Sequence, residues 1–305
     1  MTTDRVPRVT VGLPVYNGEP FLAQAIESVL AQTFSDFEFL ISDNASTDAT
    51  EEICRCYVAR DSRVHYRRSE RNKGSAWNHN RLVELSDSEY FHWIGADDMF
   101  APDLLGDGVA KLDANGNAVA CCPRTVYIGA EGERVDRLQD VLSLDSEDPV
   151  ARFASVLRPF APSYHPFYAL FRRSALHRTR LMGPYLAADR CLVAELCLLG
   201  PYVLSEARLY NRRHEGNSRR TLEAEIVLYR PGDRDEVAFR EWRVCRENLV
   251  SIGKASLGLD LKLRLLGAVL NWMIRERHAF GGELRAAVGR VVRRRVPGLG
   301  STTSV

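Results

Sequence analysis

Short apolar runs alternate with amphipathic stretches along the first 126 residues. Val9–Leu13 is such a run, ended by Pro14. Phe37–Ile41, Val64–Arg67, Tyr90–Ile94 and Ala118–Val126 repeat the pattern. Their lengths and their Gly, Pro and Asp punctuation predict five strands. Between the first two, Pro20 fits the first turn of a helix, and Leu22, Ala25, Ile26, Val29 and Leu30 share one helical face. Asp48 with Glu51 three residues on predicts a capping box for the next helix. Gly74 precedes a helix carrying Leu82 and Leu85, and Pro102 opens another. Strands separated by helices imply βαβ units and a mostly parallel sheet, so the fold class is α/β.

The later pattern is less regular. Gly129–Pro149 is acidic and reads as a loop. Ala151–Arg213 mixes short helices with strands expected at Phe167–Phe171 and Leu209–Arg213. From Leu222 onward the pattern is mainly helical. Val288–Val296 interleaves valines with Arg290, Arg293, Arg294 and Arg295, a basic amphipathic stretch that suits either an anionic membrane surface or a solvated helix face. The expected organisation is an α/β domain over 1–220, divided near 126, and a helical extension with a basic tail over 221–305.

A hydrophobic content of 45% is enough for a sizeable core, and a net charge of +1 gives no reason to expect a nucleic-acid partner. The seven cysteines are odd in number and lack zinc-site spacing, so reduced thiols are expected. Met1–Arg8 is too short and polar for a signal peptide. The apolar stretch Leu265–Ile274 is too short to span a bilayer. A cytoplasmic protein, with contact at the inner face of a membrane, is the expectation.

Candidate chemistry sits at the ends of the expected strands. Pro14, Tyr16 and Asn17 follow the first strand, Asp43 and Asn44 the second, and Asp97 and Asp98 the fourth. Ligands of such sheets bind beyond the carboxyl ends of the strands, so these groups are expected to share a crevice. Adjacent carboxylates repel unless a cation or protons neutralise them. A hard ion such as Mg²⁺ or Mn²⁺, held by Asp97, Asp98 and substrate phosphates, satisfies that requirement. The competing reading of the pair is a solvated cap on the Pro102 helix. Asp43 either closes a turn or accepts a hydrogen bond from a base or a ribose.

The pieces Pro14-Val15-Tyr16-Asn17, Ser28–Thr33, Asp43–Asp48, Asn72-Lys73-Gly74 and Ala96-Asp97-Asp98, in this order, make the stretch Val9–Leu105 resemble the nucleotide-binding half of family 2 glycosyltransferases, the inverting group with the GT-A fold. The resemblance implies that 1–126 binds the donor and 127–220 the acceptor. It implies that Pro14, Tyr16, Asn17 and Asp43 hold the nucleoside, that Asp97 touches ribose or metal, and that Asp98 binds the metal bridging the donor diphosphate. Asp189 is the residue matching the family's general base. Its alternative is a helix N-cap, with Glu195 as the reserve base. His214 lies where the family carries a basic loop near the diphosphate, and is equally readable as a surface histidine. The expected partners are a nucleotide-diphosphate sugar, UDP-linked by the family's habit, and a glycan or lipid-linked acceptor.

Two departures stand out: Ser42 replaces an acidic residue that the family often carries, and Gly95 replaces the first Asp of its usual Asp-Ala-Asp-Asp. The Gln-x-x-Arg-Trp motif of processive synthases is absent from the sequence, which favours transfer of one sugar at a time. A nucleotidyltransferase would need a Gly-rich basic loop where Pro14–Gly18 stands. A non-catalytic nucleotide-sugar-binding module is the third reading. His79, His92 and His165 are expected to be structural, and Trp77 and Trp93 to lie in the core.

Overall fold

The computed structural model describes residues 5–129, 133–135, 142–157, 165–213 and 239–295. Its first part is β1 (Val9–Val15), α1 (Glu19–Leu30), β2 (Phe37–Asp43), α2 (Thr50–Arg60), β3 (Val64–Arg68), α3 (Ser75–Leu85) and β4 (Tyr90–Trp93). The four strands run parallel in the order β3-β2-β1-β4. Then follow β5 (Met99–Phe100), α4 (Leu104–Ala114), β6 (Ala120–Ile128), β7 (Arg134–Val135), α5 (Pro149–Val156), a 3₁₀ turn (Pro166–Tyr168), β8 (Leu170–Arg172), α6 (Arg173–Leu176), α7 (Ala188–Leu199) and β9 (Tyr202–Arg213). The sheet continues β4-β8-β6-β9-β5, with β7 on β6. Strand β8 is antiparallel to both neighbours, so β6 and β9 point the same way as β1–β4, and only the short β5, β7 and β8 oppose them.

Pro14 lies inside β1 and does not end it. Gly12 O accepts from Ile94 N at 3.0 Å, so even positions of β1 face β4, and β4 stops at Trp93 opposite Gly12. The missing N–H of Pro14 therefore falls where no ladder partner remains.

Apolar groups cover both faces of the sheet. Val9, Val11 and Leu13 pack with Leu22, Ile26 and Val29 of α1 on one side. Phe91, Trp93 and Phe171 pack with α3 and α7 on the other. That second cluster continues into three C-terminal helices, α8 (Arg240–Lys254), α9 (Leu259–Arg275) and α10 (Arg277–Arg295), through Val244, Ile252, Leu265, Trp272 and Phe280. Among the described residues no helix is long and apolar enough to cross a membrane.

Three local expectations are corrected. The stretch Phe167–Phe171 is not one strand, because Pro166 opens the 3₁₀ turn and only Leu170–Arg172 pairs. The capping box does not form: Ala49 is the N-cap of α2, and Glu51 instead meets Arg55 and Arg68. Asp48 accepts from Thr50 N at 3.1 Å and Glu19 N at 3.1 Å, tying the starts of α1 and α2 together. Trp77 is only half-buried, with Lys73 Nζ at 4.3 Å and Arg81 at 5.0 Å over its ring. His214 and residues 296–305 lie outside the described residues.

Candidate functional site

The chain moves outward from β1 to β2 and β3, then crosses back to place β4 on the other side of β1. The crevice beyond the carboxyl ends at such a reversal is where open α/β sheets take ligands. An open cleft of about 290 Å³ lies there. The end of β1 lines it with Pro14–Gly18, the end of β4 with Gly95–Asp97, and α3 with Ser75, Asn78 and His79; Phe21 and Tyr168 complete its walls. Of the residues expected at the site, the structure brings Pro14, Tyr16, Asn17, Asn44 and Asp97 to this lining. Asp43, Asp98 and Asp189 are not among its lining residues.

Asp98 is 3% exposed and held from the far side of the molecule. Tyr210 Oη donates to its Oδ2 at 2.6 Å, and Arg213 N donates to its Oδ1 at 3.0 Å. Burial and the neighbouring Asp97 carboxylate raise its pKa above the ordinary range, against the pull of Arg212 and these two donors. Arg213 also donates from Nε to Asp97 O at 3.1 Å and from Nη1 to Gly129 O at 2.7 Å. The pair is thus clamped by the end of β9. Gly95 has a packing reason for lacking a side chain: a Cβ there would stand 2.7 Å from Asp98 Oδ2 and 3.1 Å from Asp97 Oδ1.

A divalent cation fits this arrangement as a site completed by its ligand. Among the described residues no three His, Cys, Asp or Glu side chains form a closed metal cage. Two hard carboxylates, one lining the cleft and one directly behind whose pKa its neighbour raises, match an ion that takes its remaining oxygens from phosphates and water.

Asp43 is fully buried and spends its acceptor capacity internally. Oδ1 accepts from Ser46 N (2.8 Å) and Ser46 Oγ (2.6 Å), and Oδ2 from Tyr66 Oη (2.6 Å), with Arg68 Nε at 3.3 Å. A carboxylate offers about four acceptor positions, and these contacts use them. Of its two sequence readings, this geometry is that of the turn. Asn17, at φ 55°, accepts from Thr47 N at 2.8 Å and locks the β1 loop to the β2 loop. Asn44 binds Asn72 Oδ1 and Gly74 O through its amide and Lys73 N through its oxygen, fixing the start of α3.

Asp189 lies in the first turn of α7 and is not its N-cap. That position belongs to Ala187, in the left-handed region at φ 62°. The Asp189 carboxyl is pushed up by burial and drawn back by the backbone N–H of Arg190 and by the charges of Arg190 and Arg212. It lies close enough to Tyr168, which lines the cleft, for its charge to oppose ionisation of that phenol. Glu195 is engaged elsewhere: Arg180 N donates to its Oε2 at 3.0 Å and Arg180 Nε to its Oε1 at 3.1 Å. Arg180 also reaches Glu247 at 2.7 Å and Ser251 at 2.7 Å, so Glu195 belongs to a clamp between α7 and α8.

The sequence reading missed His79, which lines the cleft. Its Nδ1 donates to Ser75 O at 2.8 Å, so Nε2 is the acceptor nitrogen, and burial holds its pKa down to about 4. His92 is buried, packed on Phe100 and structural as expected. Trp93 is core, stacked on Phe167 at 4.9 Å. His165 has partners after all. Its Nδ1 accepts from Arg212 Nη1 at 2.7 Å, which leaves the proton on Nε2 to donate to Tyr127 Oη at 2.8 Å. Arg212, Arg213 and Tyr210 are the other site-builders the reading passed over. Their only signal was a polar, basic close to a strand that otherwise alternates.

The sequence model described as glycosyl transferase family 2 matches residues 10–180. The putative teichuronic acid biosynthesis glycosyltransferase TuaG of Bacillus subtilis is 33% identical over 103 residues, 34% of this chain and 41% of that protein. The chain spans less than half the length of the curated relatives it matches. Among solved structures, S. aureus TarS 1-349 in complex with UDP-GlcNAc has the same fold, at a TM-score of 0.64 and 20% identity over 88% of this chain and 73% of that one. The mannosyltransferase PcManGT from Pyrobaculum calidifontis, in complex with GDP-Man and Mn²⁺, has a TM-score of 0.59 and 16% identity over 98% of this chain and 77% of that one.

Proposed function

The chain belongs to glycosyl transferase family 2, and from that premise we propose that it moves one sugar, with inversion, from a nucleoside-diphosphate sugar to a hydroxyl acceptor. The observation that carries this reading is the convergence at one cleft of the ends of β1 and β4, with Asp97 in its wall and Asp98 clamped behind it. The nucleoside would lie against Pro14, Tyr16 and Asn17, with Asp43 holding the loop that shapes this end. Among the described lining residues Asp97 carries the only formal charge, so these residues offer no cation to a diphosphate. When bound by Asp97 and Asp98, Mn²⁺ or Mg²⁺ supplies that charge and Lewis-acid help to the leaving diphosphate.

Asp189 is the proposed base. It takes the acceptor proton as the acceptor oxygen attacks the anomeric carbon from the face opposite the departing nucleotide. A carboxyl raised by burial is a better proton acceptor than an ordinary one. Residues 1–126 would serve the donor, 127–220 the acceptor, and 221–305 an accessory role. UDP-GlcNAc in TarS and GDP-Man in PcManGT favour a nucleotide-sugar donor. The teichuronic acid relative favours a glycan or lipid-linked acceptor in cell-envelope biosynthesis, and the proposed place of action is the cytoplasmic face of the membrane. The basic stretch beginning at Val288 is one candidate contact there.

Thermal-shift screening of nucleoside diphosphates with and without Mn²⁺ tests the reading, since a ligand that binds only the folded state raises the midpoint. A shift that needs both the nucleotide and the metal is expected, UDP giving the largest. Shifts independent of metal would remove the role assigned to Asp97 and Asp98. Binding without donor hydrolysis or transfer would favour the non-catalytic module.

A further inference from the structure

Helix α9 has two apolar faces. Leu265, Val269 and Trp272 are buried against α5 and α8. Leu259, Leu263, Leu266, Leu270 and Ile274 lie on the other side and are between 40% and 74% exposed. Their spacing of four, three, four and four residues keeps them on one stripe roughly 22 Å long. Scattered exposed leucines need no explanation, but a continuous row does.

The charge around the row narrows what covers it. Residues 239–295 hold 13 Lys and Arg against 5 Asp and Glu, a net +8 with His neutral; the whole chain is +1, so the remainder is −7. Lys262 flanks the row on one side. On the other, Arg264 and Arg275 line a cavity of about 320 Å³ between α5 and α9, with Val150, Ala154 and Leu157 as its apolar wall. Arg264 also meets Asp148 at 2.9 Å across a half-exposed rim. A second copy of the chain would set one strongly positive region against another, which like-charge repulsion opposes. An anionic bilayer complements both features: acyl chains take the leucines, and headgroup phosphates take the flanking cations.

We propose that α9 is a membrane-docking helix, seating Leu259, Leu263, Leu266, Leu270 and Ile274 in the interface of an anionic phospholipid bilayer with Lys262, Arg264 and Arg275 on the headgroups. This surface is separate from the stretch beginning at Val288 and does not depend on which sugar is transferred. The test is flotation of the full chain with phosphatidylcholine vesicles and with vesicles containing phosphatidylglycerol, at low and high salt. Partitioning is expected to be about tenfold or more stronger on the anionic vesicles and to weaken with salt.

Leu263→Gln with Leu270→Gln should reduce that partitioning about tenfold. Both positions are exposed, so the circular dichroism spectrum and the nucleotide-dependent thermal shift should not change. Lys262→Glu with Arg275→Glu should abolish the preference for anionic lipid, and removal of Val288–Val305 should leave the leucine dependence in place. Equal partitioning of wild type and the leucine variant overturns the proposal, as does binding that vanishes with the tail alone. A wild-type dimer that the leucine variant makes monomeric, with neither form on vesicles, assigns the row to a second copy and overturns it as well.

Discussion

The strand-end loops and the C-terminal helices hold themselves together by opposite means. In the loops, polar side chains satisfy one another. Asp43 has its acceptor positions filled, Asn44 and Asn17 bridge neighbouring loops, and Asn17 and Ala45 accept left-handed backbone at φ 55° and 66°. In helices α8 and α9, attachment comes from apolar area and a few ion pairs, the Arg180 clamp, Arg190–Glu241 and Arg264–Asp148 among them. Directional bonds fix positions to fractions of an ångström, while apolar area fixes only proximity. Substitutions in the first region should therefore damage function more than stability, and substitutions in the second should do the reverse.

The largest effect is expected at Asp98. Asp98→Asn keeps the size of the side chain and an oxygen for Arg213 N but removes the negative charge. The Mn²⁺-dependent affinity for a nucleoside diphosphate should fall about 100-fold by calorimetric titration. Unfolding in urea should change by only about 1 kcal/mol, the worth of one disturbed hydrogen bond. Unaltered metal-dependent affinity would remove Asp98 from the site.

Asp189→Asn should lower turnover by roughly 10²-fold with donor affinity preserved. The wild-type kcat/KM should fall as pH drops through a pKa above the usual carboxylate range, because the base works only when deprotonated. The stability sign follows from the same direction. A carboxyl raised on folding contributes stability below its unfolded pKa and loses it as pH rises through the folded one. At pH 8 the Asn variant should thus be no less stable than wild type. Near-normal turnover would end the assignment, and Glu195 would not inherit it, since Arg180 occupies both its oxygens.

Arg180→Ala supplies the opposite case. It leaves Glu195 and Glu247, whose side chains are 12% and 7% exposed, without their shared cation. A fully buried pair broken this way loses about 3–5 kcal/mol; with Arg180 partly open to solvent, about 2 kcal/mol is expected in urea unfolding. Nucleotide affinity should stay within about twofold, because the clamp shares no partner with the cleft. A loss of affinity matching the loss of stability would show that the two regions are coupled, and the contrast between them would fail.

The first half of the fold and the position of its chemistry are legible in the amino-acid order. Short apolar runs, their punctuation and the helical faces between them placed β1, β2, β3 and β4, and a parallel sheet carries whatever follows its strands to one edge. Pro14, Tyr16, Asn17 and Asp97 were legible for that reason, since each lies at the end of a strand or within a few residues of it. What holds them in place comes from contacts between distant parts of the chain. Tyr210, Arg212 and Arg213 reach Asp97 and Asp98 from more than a hundred residues away, because β9 pairs with β6 and β5. His79 was read as structural because a lone histidine on a helix shows no sign of which wall it lines. The exposed row on α9 escaped notice because periodicity reports that residues share a face, while burial depends on whether another element covers that face.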